Sequence, residues 1–217
     1  GGDGFDAAAD QLDSRYIYSM SQGGSLQRLD KISGDRKSIR PVHPNGDKLR
    51  FNWNAAFAQD PVNKSVIFYG SQYLHKSTNK GDSWEIISPD LTTNDPTKQK
   101  QNESGGLTFD VTGAENFTTI LAIAPSPVTE GIIWIGTDDG NIQITKDGGK
   151  TWENVVKNIK GVPEGSWIPQ VRASSNNAEE AFVVINNYRR DDWKPYVFQT
   201  TDFGKTWKAI VKESDVS

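Results

Sequence analysis

Two adjacent carboxylate pairs, Asp138-Asp139 and Asp191-Asp192, are the side chains of this sequence whose type and spacing come nearest to a reaction centre. Cleavage of a glycosidic bond takes two carboxyl groups about 5–10 Å apart, one to protonate the leaving oxygen and one to attack or to activate water. Both pairs stand in short turns between β-prone runs, and they are the weak catalytic candidates. No other catalytic set assembles. The chain has no Cys, which removes thiolate nucleophiles, thiolate metal sites and disulfides. Of the two His, His43 stands in a Pro-flanked turn and His75 in a β-prone run, so neither a Ser-His-Asp triad nor a metal site is expected, and no cofactor. Thr137-Asp138-Asp139-Gly140-Asn141 lacks the spacing of a calcium loop and reads as a tight turn. Gly149-Lys150-Thr151 matches the tail of a phosphate-binding loop, but its earlier Gly is replaced by Ile144 and Trp152 follows instead of a helix. Asp202-Phe203-Gly204 spells a kinase triplet with no other kinase element.

Recognition chemistry is better represented. Arg50, Asn52, Trp53, Asn54, Trp167, Arg172, Arg189, Arg190 and Trp193 are the ligand-binding candidates. Trp and Arg anchor protein interfaces, Trp faces stack on sugars, and a guanidinium grips a carboxylate with two parallel bonds. Two alternatives stand beside this reading. The charges of Arg189-Arg190-Asp191-Asp192 also suit a solvated hairpin tip that pairs within itself, and Trp53 and Trp167 also suit packing between sheets. The 24 Lys+Arg against 28 Asp+Glu leave a net charge of −4, without the cation surplus that nucleic-acid binding uses. No apolar run approaches the roughly 18 residues of a membrane span. Gly1 is followed by neither a basic nor an apolar leader region, and the opening Gly-Gly-Asp-Gly has the look of a segment cut from a longer chain.

The elements that must position these residues are set by an internal repeat. An octet of hydroxyl, any residue, Asp or Asn, any, Gly, two more, Trp occurs at Ser77–Trp84, Thr145–Trp152 and Thr200–Trp207. Before each copy lie three β-prone runs, for example Ile120-Leu121-Ala122-Ile123, Ile132-Ile133-Trp134-Ile135 and Ile142-Gln143-Ile144, and each Trp opens a fourth. In the second unit the first run is read as Asn54-Ala55-Ala56-Phe57-Ala58. The octet is expected to close the hairpin between the third and fourth strands. Ser77, Thr145 and Thr200 bond the turn, and Asn79, Asp147 and Asp202 accept its N–H groups. Gly81, Gly149 and Gly204 supply a positive φ, and Trp84, Trp152 and Trp207 bury about 150–250 Å² each against a neighbouring sheet. A motif present in unit after unit answers a shared structural need, so its Asp residues are not read as catalytic.

Residues 1–41 form a degenerate first unit whose final hairpin, Asp30 to Asp35, lacks the Trp. Four units, at approximately 1–41, 49–90, 117–157 and 166–212, predict an all-β fold of propeller blades, each a four-stranded antiparallel sheet. Four units in 217 residues average about 54 residues, close to the roughly 40–50 of a blade. The polar stretch 91–116 is a surface excursion. In such a fold the loops between second and third strands emerge opposite the octets, together with the links between blades. That face would gather Gln22-Gly23-Gly24, His43 to Arg50, Asp138-Asp139, Ser166-Trp167 and Tyr188 to Trp193. First strands line the axis, adding Asn52, Trp53, Asn54 and Arg172.

The octets are similar to the Asp-box (BNR) repeats of sialidases, xyloglucanase-type glycoside hydrolases and sortilin-type receptors. Gly1-Gly2-Asp3-Gly4-Phe5, Leu49-Arg50-Phe51-Asn52-Trp53-Asn54, Ile87-Ser88-Pro89-Asp90-Leu91, Gly165-Ser166-Trp167 and Arg190–Tyr196 make the chain resemble bacterial sortilin-like propeller proteins most. The resemblance implies a partial propeller completed by blades from the parent chain or a partner. It also implies a secreted, periplasmic or cell-surface protein, and zero Cys favours bacterial export. In sortilins the propeller binds peptides and proteins, and related propellers hydrolyse polysaccharides. The catalytic Asp that a xyloglucanase would carry after the first unit's second strand is absent from Ser21-Gln22-Gly23-Gly24, and the arginine triad of sialidases is not recognisable. The expected function is a non-catalytic binding module for a peptide, protein or glycan. The alternatives are a partial glycoside hydrolase and a structural subunit of a larger surface complex.

Overall fold

A computed structural model describes residues 3–100, 103 and 116–215. Of the excursion 91–116, residues 101–102 and 104–115 lie outside the described residues, as do Gly1, Gly2 and 216–217. The described residues form four separate four-stranded antiparallel sheets, each a simple meander, as propeller blades do. The first holds β1 (Gly4–Ala9), β2 (Tyr16–Ser21), β3 (Ser25–Asp30) and β4 (Arg36–Ser38); the second β5 (Phe57–Gln59), β6 (Ile67–Gly70), β7 (Leu74–Ser77) and β8 (Glu85–Ile86). The third holds β9 (Ile120–Pro125), β10 (Ile133–Thr137), β11 (Ile142–Thr145) and β12 (Glu153–Asn154); the fourth β13 (Trp167–Ala173), β14 (Ala181–Asn187), β15 (Asp192–Thr200) and β16 (Lys208–Ala209). Among the described residues helix is confined to single 3₁₀ turns, and no helix is long and apolar enough to cross a membrane.

Each sheet is too small to bury its own faces, so neighbours supply the cover. Tyr18, Met20 and Leu26 of the first sheet pack on Ile67 and Tyr69 of the second. Phe68 and Leu74, on the other face of the second sheet, meet Ile120, Ile133 and Ile135 of the third. Trp134, Ile142 and Ile144 of the third meet Val171, Val183 and Ile185 of the fourth. The strand sequences follow from this. β10 is buried at every residue because both its faces are covered, whereas β14 alternates buried and half-buried because one face is covered. First strands lie innermost, with β9 against both β5 and β13.

The octets close the hairpins between third and fourth strands. Thr145 Oγ1 donates to Asp147 Oδ1 at 2.8 Å and accepts from Gly149 N at 2.9 Å, while Asp147 accepts from Thr151 N at 2.9 Å and Thr151 Oγ1 at 2.6 Å. These bonds, Thr151 foremost, pull the Asp147 carboxyl down to about 2. Thr200, Asp202, Gly204 and Thr206 repeat the arrangement, and Ser77, Asn79, Gly81 and Ser83 repeat it with an amide in place of the carboxylate. The three glycines have φ between +81° and +100°. In the degenerate first unit the turn is held instead by Asp30, which accepts from Ile32 and Ser33 N–H and is clamped by Arg15.

One expected strand starts late. β5 begins at Phe57, and Asn52, Trp53 and Asn54 lie in the lead-in loop instead of on the axis. Asn52 turns the chain there by accepting Asn54 N–H at 3.1 Å, and Ala55 and Ala56 are buried ahead of the strand, with Ala56 O accepting Gly70 N–H at 2.9 Å.

Candidate functional site

The face opposite the octet hairpins collects the β2–β3, β6–β7, β10–β11 and β14–β15 turns and the links between sheets. Its interior is a polar network. Asp138 is 0% exposed and accepts from Thr119 N at 2.8 Å, from Thr119 Oγ1, and from Asn52 Nδ2 at 3.0 Å. Burial, and then the charge of Asp139, push its carboxyl up to about 7, although the hydrogen bonds pull the other way. Asp139 is 2% exposed and accepts from Thr93 N and Thr93 Oγ1, both at 2.7 Å, and from Thr137 Oγ1. Their oxygens are thus committed to holding the 92–93 and 118–119 segments over the third sheet.

Arg50 and Asn52 belong to the same network. The Arg50 guanidinium donates to Asp90 Oδ2 at 2.6 Å and to the Thr118 carbonyl at 3.1 Å, and its backbone N–H donates to Gln72 Oε1. Trp53 Nε1 reaches Asp3 Oδ2 at 3.3 Å, and Asn54 is exposed. Thr93 and Thr119, which close over the two Asp, were not among the sequence candidates. Plain Thr dipeptides carry no local pattern that assigns them to carboxylates elsewhere in the chain.

The β14–β15 turn differs in kind. Tyr188–Arg190 form a 3₁₀ turn ended by Asp191 in the left-handed region, φ 58°. Arg190 is anchored on the carbonyls of Glu164, at 2.7 Å, and Gly165. Arg189 lies with its guanidinium carbon 3.3 Å from the Trp167 ring centre and 4.4 Å from that of Tyr188. The rings strip part of the water from the guanidinium of this exposed residue, which lowers it from its ordinary value. Trp167 in turn packs on Phe117, and Trp193 stacks on Tyr188 at 5.9 Å while donating Nε1–H to Asp191. Trp193 is 74% exposed. Asp192 faces inward to Asn187 and Tyr196, whose hydrogen bonds hold its carboxyl below the usual range. Beside this tip a cleft of about 740 Å³ opens between the third and fourth sheets, with Lys98, Asn141, Asn154 and Glu164 on its walls and Ile168 and Ile185 beneath.

The face therefore brings together Trp167, Arg189, Arg190 and Trp193, and separates them from the internal Arg50–Asn52 group. Arg172 is elsewhere, in a groove of about 520 Å³ along the first strands with Gln59 and Phe182. No cluster of His, Asp or Glu suited to a metal ion occurs among the described residues.

No protein-family model matches the chain, and no curated protein matches it. Among solved structures, the Dos1 propeller superposes with a TM-score of 0.59 over 95% of this chain and 48% of that one, at 10% identity. An ancestral GH74 enzyme and a GH74 enzyme from Niastella koreensis each align over 97% of this chain and over 31% and 38% of theirs, at 16% and 17% identity and TM-scores of 0.48 and 0.42. The fold is that of a β-propeller. The chain spans about half the length of the Dos1 propeller that it matches.

Proposed function

We propose that this chain is a non-catalytic propeller module of the Asp-box, sortilin-like kind, from a secreted or cell-surface protein, which binds a peptide, protein or glycan on the face opposite its octets. The observation that carries the reading is the exposed group at the β14–β15 turn, where the Arg189 guanidinium is held between two aromatic rings and Trp193 stands out in solvent. A stacked guanidinium keeps its planar fork of donors free for a carboxylate, while a supported indole offers a flat apolar plate to a sugar face or an apolar side chain. A rigid aromatic anchor loses little conformational entropy on binding. Two of the four carboxylates that hydrolysis would call on support the same reading, because Asp138 and Asp139 are buried and their oxygens accept hydrogen bonds from Thr119, Asn52, Thr93 and Thr137.

The test is titration of the chain with soluble neutral glucans and with peptides ending in a free carboxylate, read by tryptophan fluorescence and calorimetry. Trp193→Ala and Arg189→Ala should each weaken the binding of one probe class at least tenfold and leave the melting temperature within about a degree. Release of reducing sugar that disappears in Asp138→Asn and Asp192→Asn would replace this reading by hydrolysis. Binding that is indifferent to both loop variants would remove the turn from the site.

A further inference from the structure

Each junction between sheets carries the same device. The residue just after the fourth strand donates its N–H to the third strand of its own sheet: Ile39 to Leu26 O, Ile87 to Leu74 O, and Val155 to Ile142 O. The octet of the next sheet then closes over that residue. A Cβ on Gly81 would lie 2.6 Å from the Ile39 side chain, one on Gly149 2.4 Å from the Ile87 carbonyl oxygen, and one on Gly204 2.8 Å from the Val155 side chain. Trp84 Nε1 donates to Ile39 O at 2.7 Å and Trp152 Nε1 to Ile87 O at 3.2 Å. At the third junction Val155 O already accepts Asn158 N–H from the following 3₁₀ turn, and the buried Trp207 Nε1 has no partner. Ile39 and Val155 are consequently 3% and 0% exposed.

The fourth sheet has the receiving half of the device and no octet over it. Ile210 donates its N–H to Val197 O at 3.0 Å, the bond that defines the position, and it is 43% exposed. The sheet face beside it, opposite the packed face of Val183 and Ile185, carries half-buried Phe182, Val184 and Val197. We propose that this surface is the docking site for a fifth blade of the same repeat, which lays the Gly and Trp of its octet on Ile210 and covers Phe182 and Val184. The sense of docking is fixed, because at every junction the later sheet in chain order clamps the earlier one. A second copy does not meet the requirement. Its leading sheet would present the hairpin Asp30-Lys31-Ile32-Ser33-Gly34-Asp35, which has no indole. The half-length match to a propeller leaves room for such blades. The inference is independent of the ligand assigned to the loop face.

The experiment extends the full chain after Ser217 with a second copy of residues 156–215, which supplies a fifth sheet with its octet on a linker seven residues longer than the native one, and follows hydrogen exchange by mass spectrometry. Exchange of the segment 208–212 should slow at least tenfold in the extended chain and return to the unextended rate with Ile210→Asp. In the unextended chain Ile210→Asp should leave the melting temperature within about a degree. A parallel extension by residues 117–157, carrying a different octet, guards against a failure of one sequence. Protection that rises in neither extension overturns the proposal. So does a concentration-dependent dimer of the unextended chain that Ile210→Asp dissolves, which would assign the surface to a second copy, or a large loss of stability in that variant, which would place Ile210 in the chain's own core.

Discussion

Asn52 Nδ2 lies 3.0 Å from Asp138 Oδ2, joining the loop that enters the second sheet to a turn of the third across 86 residues. Asp138 also holds Thr119, so one carboxyl group fastens two links over the loop face. Because its pKa is raised above the unfolded value, it favours the fold while protonated. That contribution is complete below about pH 4 and is lost as pH rises towards about 7. Asp138→Asn should therefore abolish a descending component of stability between those values. Chemical denaturation at unit steps of pH, compared with the parent, checks this, and an unchanged difference across the window would contradict the buried assignment.

His75 gives the opposite slope over nearly the same window. It is 1% exposed between Phe51 and Trp84, with Nε2 2.8 Å from Ser71 Oγ, and burial lowers its pKa to about 4. The unfolded chain takes up the proton first, so stability falls from about pH 6.5 down to about pH 4, by roughly 3 kcal/mol for a shift of this size. His75→Phe should flatten that limb and leave the Asp138 component as the visible one. NMR titration of the imidazole provides the direct measurement.

The indoles of the octets should not be equivalent. Trp152→Phe removes a donor shared by Ile87 O and Gly149 O and leaves both carbonyls without it, for a loss of about 1–3 kcal/mol. Trp207→Phe removes an N–H that has no partner and should cost less than Trp152→Phe by about 1 kcal/mol or more. Urea midpoints of the two variants make the comparison.

Neighbouring glycines separate backbone strain from close approach. A Cβ on Gly148, φ +73°, meets nothing within 4 Å, and Gly148→Ala should cost only the left-handed penalty of about 1–2 kcal/mol. Gly149→Ala adds a Cβ 2.4 Å from the Ile87 carbonyl and should cost about 3 kcal/mol or more, because the second sheet must move. Equal destabilisation of the two would remove the close contact from the account.

The hairpins and the meanders were legible in the sequence because their determinants are local. A hydroxyl, an Asp and a Gly at fixed offsets make a turn whatever surrounds it, and apolar runs bounded by turns make strands. The start of β5 was not, since Ala55 and Ala56 are buried by packing in a loop and look like strand residues in one dimension. The burial of Asp138 and Asp139 was equally hidden. It depends on Thr119 and Thr93, 19 and 46 residues away in sequence, folding over a turn that on its own reads as a solvated pair of charges.

The one-way order of the clamps bears on how the molecule is made. Ile39 is separated from its indole by 45 residues and Ile87 from its own by 65. During synthesis each sheet therefore waits only for its immediate successor to leave the ribosome, and the structure can advance from the amino end like a zip, with the half-covered surface always at the growing tip.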